Sequence, residues 1–276
     1  MAAFDDAWRK WEWGGSHAKK LKACFPANAS TRPYFIPTVE STYDPDTECI
    51  VLHITDIGPP PAEWGLRLGD VVANYRASLD HLAWAVVMRG DRADSLTDGK
   101  MKGVYYPVTT PGSQVARVFK RNLPGATEAD LAIIRRYQPE HVGEEGQSHC
   151  LTTLQRASNL DKHRSLQPMP LCVGESELSI NQLEDCVLVD EGFSIVTIDP
   201  IQPGSELGRI LVRPTGPSPR AYMNGRFGLR LAIDGKVWLL QWLTEIQRFI
   251  GQLLAEFSEP PTGVLYVPPD FFDSAR

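Results

Sequence analysis

Residues Asp234 to Phe257 carry Leu239, Trp242, Ile246, Phe249, Leu253 and Phe257 at spacings of three and four, the signature of one apolar face on a long helix. A stripe of that width has to be buried against other helices. The sequence just before it supplies none, because Leu171 to Ile233 reads as strands: Leu178-Ser-Ile180, Cys186-Val-Leu-Val189, Phe193 to Ile198, Arg209-Ile-Leu-Val212 and Phe227 to Ile233 are separated by Gly, Pro, Asp and Asn turns. The helical partners must therefore come from much earlier in the chain.

They are available there. Phe4 to Cys24 reads as a helix, with Trp8, Trp11 and Leu21 able to share a face. Asp70 to Met88 is more regular: Val72, Tyr75, Leu79, Leu82 and Val86 form one apolar stripe, closed by Gly90. Ser113 to Arg121 reads as a short helix. Thr127 to Tyr137 has Thr127 as N-cap and acids in its first turn. His149 to Leu166 is helical up to Pro168. Between the first two helices, Tyr34 to Thr55 alternates as strands around an Asp44-Pro-Asp46 turn. Pro59-Pro-Pro61 reads as a stiff connector, Asp91 to Lys102 as a polar loop, Tyr105 to Val108 as a short extended piece, and Asp190-Glu-Gly192 as a hairpin turn. The predicted fold class is α+β, a helical bundle core with antiparallel β segments packed against it. It forms one domain over residues 1–276, helical over about 1–24, 70–90, 113–167 and 234–257 and β-rich over about 34–55 and 171–233.

Composition excludes several classes. A net charge of −6 argues against a surface built for general nucleic-acid or membrane adhesion, though not against a local basic cleft. The five cysteines are odd in number and include no CxxC pair, which points to free thiols rather than a disulfide framework or a cysteine zinc site. Met1 to Trp8 has neither the basic nor the apolar region of a signal peptide, and no apolar run reaches a membrane span, so a cytoplasmic protein without membrane contact is expected. P-loop, G-x-G-x-x-G, G-x-S-x-G and HExxH motifs are all absent, and no cofactor or metal is implied.

What remains for chemistry is a polar cluster. On the helix beginning at Asp70, Asn74 and His81 are seven residues apart and stand on nearly one line, with Ser78 beside them. Arg76 and Asp80, four apart, can pair along the helix. Arg76 and His81 diverge by about 140° around an ideal helix, so a kink, a long reach of the arginine or a second copy of the chain would help converge them. Asp161, Lys162, His163 and Arg164 end the later helix and are the binding or supporting set, with an Asp161–Arg76 or Asp80–His163 contact expected.

Asn74-Tyr-Arg-Ala-Ser-Leu-Asp-His81 followed by Asp161-Lys-His-Arg164 resembles a widespread uncharacterised bacterial family with an N-x-R-x-x-L-D-H helix and a D-K-H-R helix; Trp8-Arg-Lys-Trp11 extends the likeness over much of residues 8–164. More distantly, Arg76 and His81 fit the arginine, four to six residues, histidine signature of the HEPN superfamily of helical ribonucleases and toxins, although Ala77 stands where those nucleases usually have a polar residue. That resemblance implies a metal-independent endoribonuclease or defence effector. It would bind RNA in the cleft of a homodimer, with His81 moving the 2′-hydroxyl proton and Arg76 stabilising the charged phosphorane. The alternative is a non-catalytic binding or assembly protein whose Arg/Asp/His network only fixes helix packing. A third reading is a metal-dependent enzyme drawing on His81, His149, His163, Asp80 and Asp161. Trp8, Trp11 and Trp13 suggest either an aromatic cage or a docked helix. Arg117 to Arg121 with Arg135-Arg136 suggests either phosphate contacts or a solvated helix face.

Overall fold

A computed structural model describes residues 3–24, 38–56, 61–90, 96–140, 149–162, 166, 169–195, 202–233 and 237–266. The described residues hold seven helices and two antiparallel sheets, the α+β composition that the sequence predicts. Backbone contacts fall into two compact units, Met1–Ala23 with Gly65–Leu166 and Leu240–Arg276, and Cys24–Trp64 with Gln167–Leu239.

The first unit is helical. Its helices, numbered in chain order, are α1 (Asp5–Ala23), α2 (Ala62–Met88, from Gly65 onward), α3 (Asp98–Met101), α4 (Val115–Asn122), α5 (Glu128–Arg136), α6 (Cys150–Asp161) and α7 (Leu239–Ala255, from Leu240 onward). The α2 stripe is core as expected: Val72, Tyr75, Leu79, Leu82 and Val86 are all buried. So are Trp242, Ile246, Ile250, Leu253 and Leu254 of α7. The helices meet through specific contacts. Gly14 of α1 lies against the Tyr75 ring, where a Cβ would stand 2.7 Å from the ring carbons, and the buried Ser78 hydroxyl donates to the Ala7 carbonyl at 2.8 Å. Trp8 Nε1 donates to Ser258 Oγ at 3.0 Å and Trp11 Nε1 to the Gln247 carbonyl at 2.7 Å. Trp242 Nε1 donates to the Cys150 carbonyl at 3.2 Å. Trp8 and Trp11 are thus structural anchors of α1, closed over by Tyr266, while Trp13 points outward, so the three do not form a cage.

The second unit is β-rich. Strand β1 (Thr38–Asp44) and β2 (Cys49–Asp56) form the hairpin around Asp44, whose carboxylate accepts from Asp46 N at 3.1 Å and from Thr47 Oγ1 at 2.7 Å. The long β3 (Met169–Glu184) runs through Asp185 into β4 (Cys186–Ile195); β5 (Glu206–Pro214), β6 (Arg220–Ile233) and β7 (Val237–Trp238) follow. The order is β1-β2-β5-β4 in one sheet and β3-β6-β7 in the other. Asp185 makes the corner. Its φ of 52° is one that Asp tolerates better than most residues, and its backbone and carboxylate oxygens accept from Thr215, Gly216 and Ser218 amides. One bend therefore carries both the β3–β4 and the β5–β6 passages. Ile50, Leu52, Ile54, Leu207, Ile210 and Val212 build the core of the four-stranded sheet.

Five expectations need correction. Helix α2 starts at Ala62, eight residues before the predicted Asp70. Pro61 precedes the first turn, where a missing N–H costs nothing, and Trp64 N donates to its carbonyl at 2.9 Å. Gly65 and Gly69 disguised this start, since glycine disfavours helix by about 1 kcal/mol each. Helix α7 starts at Leu239 rather than Asp234, because the β-prone pair Val237-Trp238 is laddered to Ile233 and Ala232. Asp190-Glu-Gly192 does not reverse the chain; β4 runs on past it, and the pairing shifts from Leu188↔Val212 to Phe193↔Ile210, so the extra residues leave the ladder as a bulge. Helix α6 ends at Asp161 with Lys162 as C-cap, short of the predicted Leu166. In the segment expected as a polar loop, Asp98–Met101 forms one helical turn.

Candidate functional site

Arg76 lies on α2 with its side chain 13% exposed. Its guanidinium meets the Asp80 carboxylate twice, Nε to Oδ2 at 3.2 Å and Nη2 to Oδ1 at 2.9 Å. Nη1 donates to Gln155 Oε1 of α6 at 2.8 Å, and Nη2 donates to the Tyr106 carbonyl at 2.8 Å. Asp80 Oδ1 in turn accepts from Tyr106 N at 2.9 Å. The pair therefore serves both backbone groups of one residue. It replaces the ladder that the extended Tyr105–Val108 piece lacks, and so answers where a buried backbone finds its hydrogen bonds. The Tyr106 side chain is fully buried and its hydroxyl accepts from Gln138 Nε2 at 3.2 Å, while Gln138 Oε1 accepts from Thr109 N at 2.9 Å. Burial pushes the Tyr106 phenol far above its ordinary range, so it remains a neutral strut. The Tyr105 ring lies 5.9 Å from the Arg76 guanidinium carbon.

Four of the five guanidinium N–H groups are thereby committed within the fold. The spacing of Arg76 and Asp80 made their pairing legible. Gln155 and the Tyr106 backbone were not, because a carbonyl leaves no mark in a sequence and Gln155 looks like any polar helix residue.

The other candidates among the described residues do not join this cluster. Asn74 Nδ2 turns back to the Asp70 carbonyl of its own helix at 2.8 Å. His81 is half-buried, with no hydrogen bond to its ring among the described residues. Asp161 does not reach Arg76; its carboxylate lies over Gly69, where a Cβ would come within 2.8 Å of Oδ1. Burial, and then the nearby Asp70 charge, raise its pKa. Asp70 also meets His17 Nδ1 at 3.4 Å. Lys162 is exposed at the end of α6. His163 and Arg164 lie outside the described residues, and with them the expected Asp80–His163 contact.

His149, a ligand in the metal reading, caps α6: its Nδ1 accepts from Leu151 N at 3.2 Å, and its ring meets Phe249 edge-on at 5.0 Å. Among the described residues no group of three or more His, Cys, Asp or Glu side chains is placed to hold a metal ion. A second clasp had no sequence signal at all. Asp130, nearly fully buried on α5, takes two bonds from Arg89, one of them 3.1 Å, and the guanidinium lies against both the Phe4 and Phe257 rings at 5.0 and 5.4 Å. No helix of the described residues is long and apolar enough to cross a membrane. Compared with family models, curated proteins and solved structures, the chain matches none.

Proposed function

We propose that this chain is a non-catalytic binding or assembly protein, and that Arg76 and Asp80 are the clasp that fixes its helical unit. One observation carries the reading: the guanidinium of Arg76 has spent four of its five donors on Asp80, Gln155 and Tyr106, which leaves little to offer a reacting phosphate. Its low exposure points the same way, as does the bond of Asn74 to its own helix.

A metal-independent ribonuclease is the second reading. Its support is His81, which is half-buried and without a hydrogen-bond partner among the described residues, as a proton-transfer group awaiting its substrate would be. That reading needs RNA in the site and a second copy of the chain to bring an Arg76 and a His81 together.

The test is to incubate wild type, His81→Ala and Arg76→Ala with total RNA in EDTA and to melt each. The binding reading expects intact RNA throughout, a His81→Ala variant that melts like wild type, and an Arg76→Ala variant that melts lower. Cleavage by wild type that disappears in a normally melting His81→Ala would overturn it in favour of the nuclease.

A further inference from the structure

A cavity of about 770 Å³ opens in the helical unit among α3, α4 and α5 and the segments joining them. Four cations line it, Lys100, Lys120, Arg121 and Arg135, against one acid, Glu128. In a chain of net charge −6 this is a local reversal of sign. The pairing of these cations also differs from that of three other arginines of the unit. Arg76, Arg89 and Arg136 each bond a carboxylate, of Asp80, Asp130 and Glu256. Among the described residues none of the four lining cations does. Arg121 is held by neutral partners, Tyr105 Oη at 3.0 Å and Asn122 Oδ1 at 2.9 Å, and Arg135 stacks on the Phe119 ring at 5.6 Å. Two guanidinium groups are thus oriented without being neutralised, the arrangement that suits an incoming anion. Leu123, Pro124 and Leu131 supply apolar wall between them.

We propose that this cavity binds a small organic polyphosphate. The cations supply recognition of the phosphates, the apolar wall accommodates the organic body, and the volume is that of a small-molecule site. A nucleic-acid polymer would instead call for a basic strip extending beyond one cavity, and the overall negative charge argues against it. The inference goes beyond the binding reading above by naming a ligand class. It uses neither Arg76, Asp80, Gln155 nor Tyr106, so either can fail alone.

Because recognition runs through the cations, ATP serves as the probe, titrated calorimetrically into the full chain without added metal, with inorganic triphosphate and a single-stranded RNA oligomer in parallel. ATP is expected to bind, more tightly than triphosphate, and more weakly as salt rises. Lys120→Ala and Arg135→Ala should each weaken it about tenfold, the loss of a charge-assisted contact, while leaving the melting temperature near wild type. The proposal is overturned if ATP at millimolar concentration does not bind, if neither variant changes its affinity, if triphosphate binds as well as ATP, or if the RNA binds the same residues more tightly than ATP does.

Discussion

Replacing Arg76 by alanine removes four hydrogen bonds at once and leaves three acceptors behind: the Asp80 carboxylate, Gln155 Oε1 and the Tyr106 carbonyl. Removing one partner of a buried ion pair costs about 3–5 kcal/mol. Asp80 is 37% exposed, so water can rehydrate part of its charge. We therefore expect a loss nearer 2–3 kcal/mol. At about 2–4 °C per kcal/mol for a chain of this size, the melting temperature should fall by roughly 4–12 °C. Calorimetry with urea unfolding measures both quantities. A cycle with Asp80→Ala should give a coupling of about 1–2 kcal/mol, because each residue also holds one end of Tyr106. If Arg76→Ala melts within about 1 °C of wild type, the clasp is not architectural, and the reasoning from its hydrogen bonds is wrong.

Gly90→Ala should destabilise the protein by about 1–3 kcal/mol, because a Cβ there would run into the Gly125 carbonyl, a backbone atom that cannot step aside; an unchanged urea midpoint would sink this. The pKa of His149 is held below its ordinary 6.5 by burial, so its contribution is complete above that value and is lost as pH falls from about 6.5 through the folded value. His149→Asn keeps a cap acceptor and cannot titrate; melting temperature against pH should therefore fall less steeply for it than for wild type below about pH 6.5. Burial pushes the Cys150 thiol up to about 12, so iodoacetamide at pH near 8 should leave it unmodified in the native protein and alkylate it in urea, as peptide mass spectrometry would read directly.

Much of the helical unit could be read from spacing alone, for a physical reason. The stripes of α2 and α7 repeat at three and four residues because one side of each helix faces apolar neighbours, and that constraint is written along the sequence. Thr127 capping α5 through Asp130 N at 3.2 Å was legible on the same grounds, since a cap acts within one turn. Boundaries were less legible where tertiary contact outweighed propensity. Gly65 and Gly69 lie inside α2, and the Asp161 carboxylate packs over Gly69, where a Cβ would stand 2.8 Å from Oδ1.

Sequence by itself determined the α+β class, the buried faces of the long helices and the local pairing of Arg76 with Asp80. Each of these depends on residues a few positions apart. Only the tertiary structure decided that Arg76 is committed to Gln155 and to the Tyr106 backbone, that Asp130 waits for Arg89, and that Lys100, Lys120, Arg121 and Arg135 surround one cavity. Those partners are 30 to 79 residues from Arg76 and 41 from Arg89, and no periodicity links positions so far apart until the helices have packed.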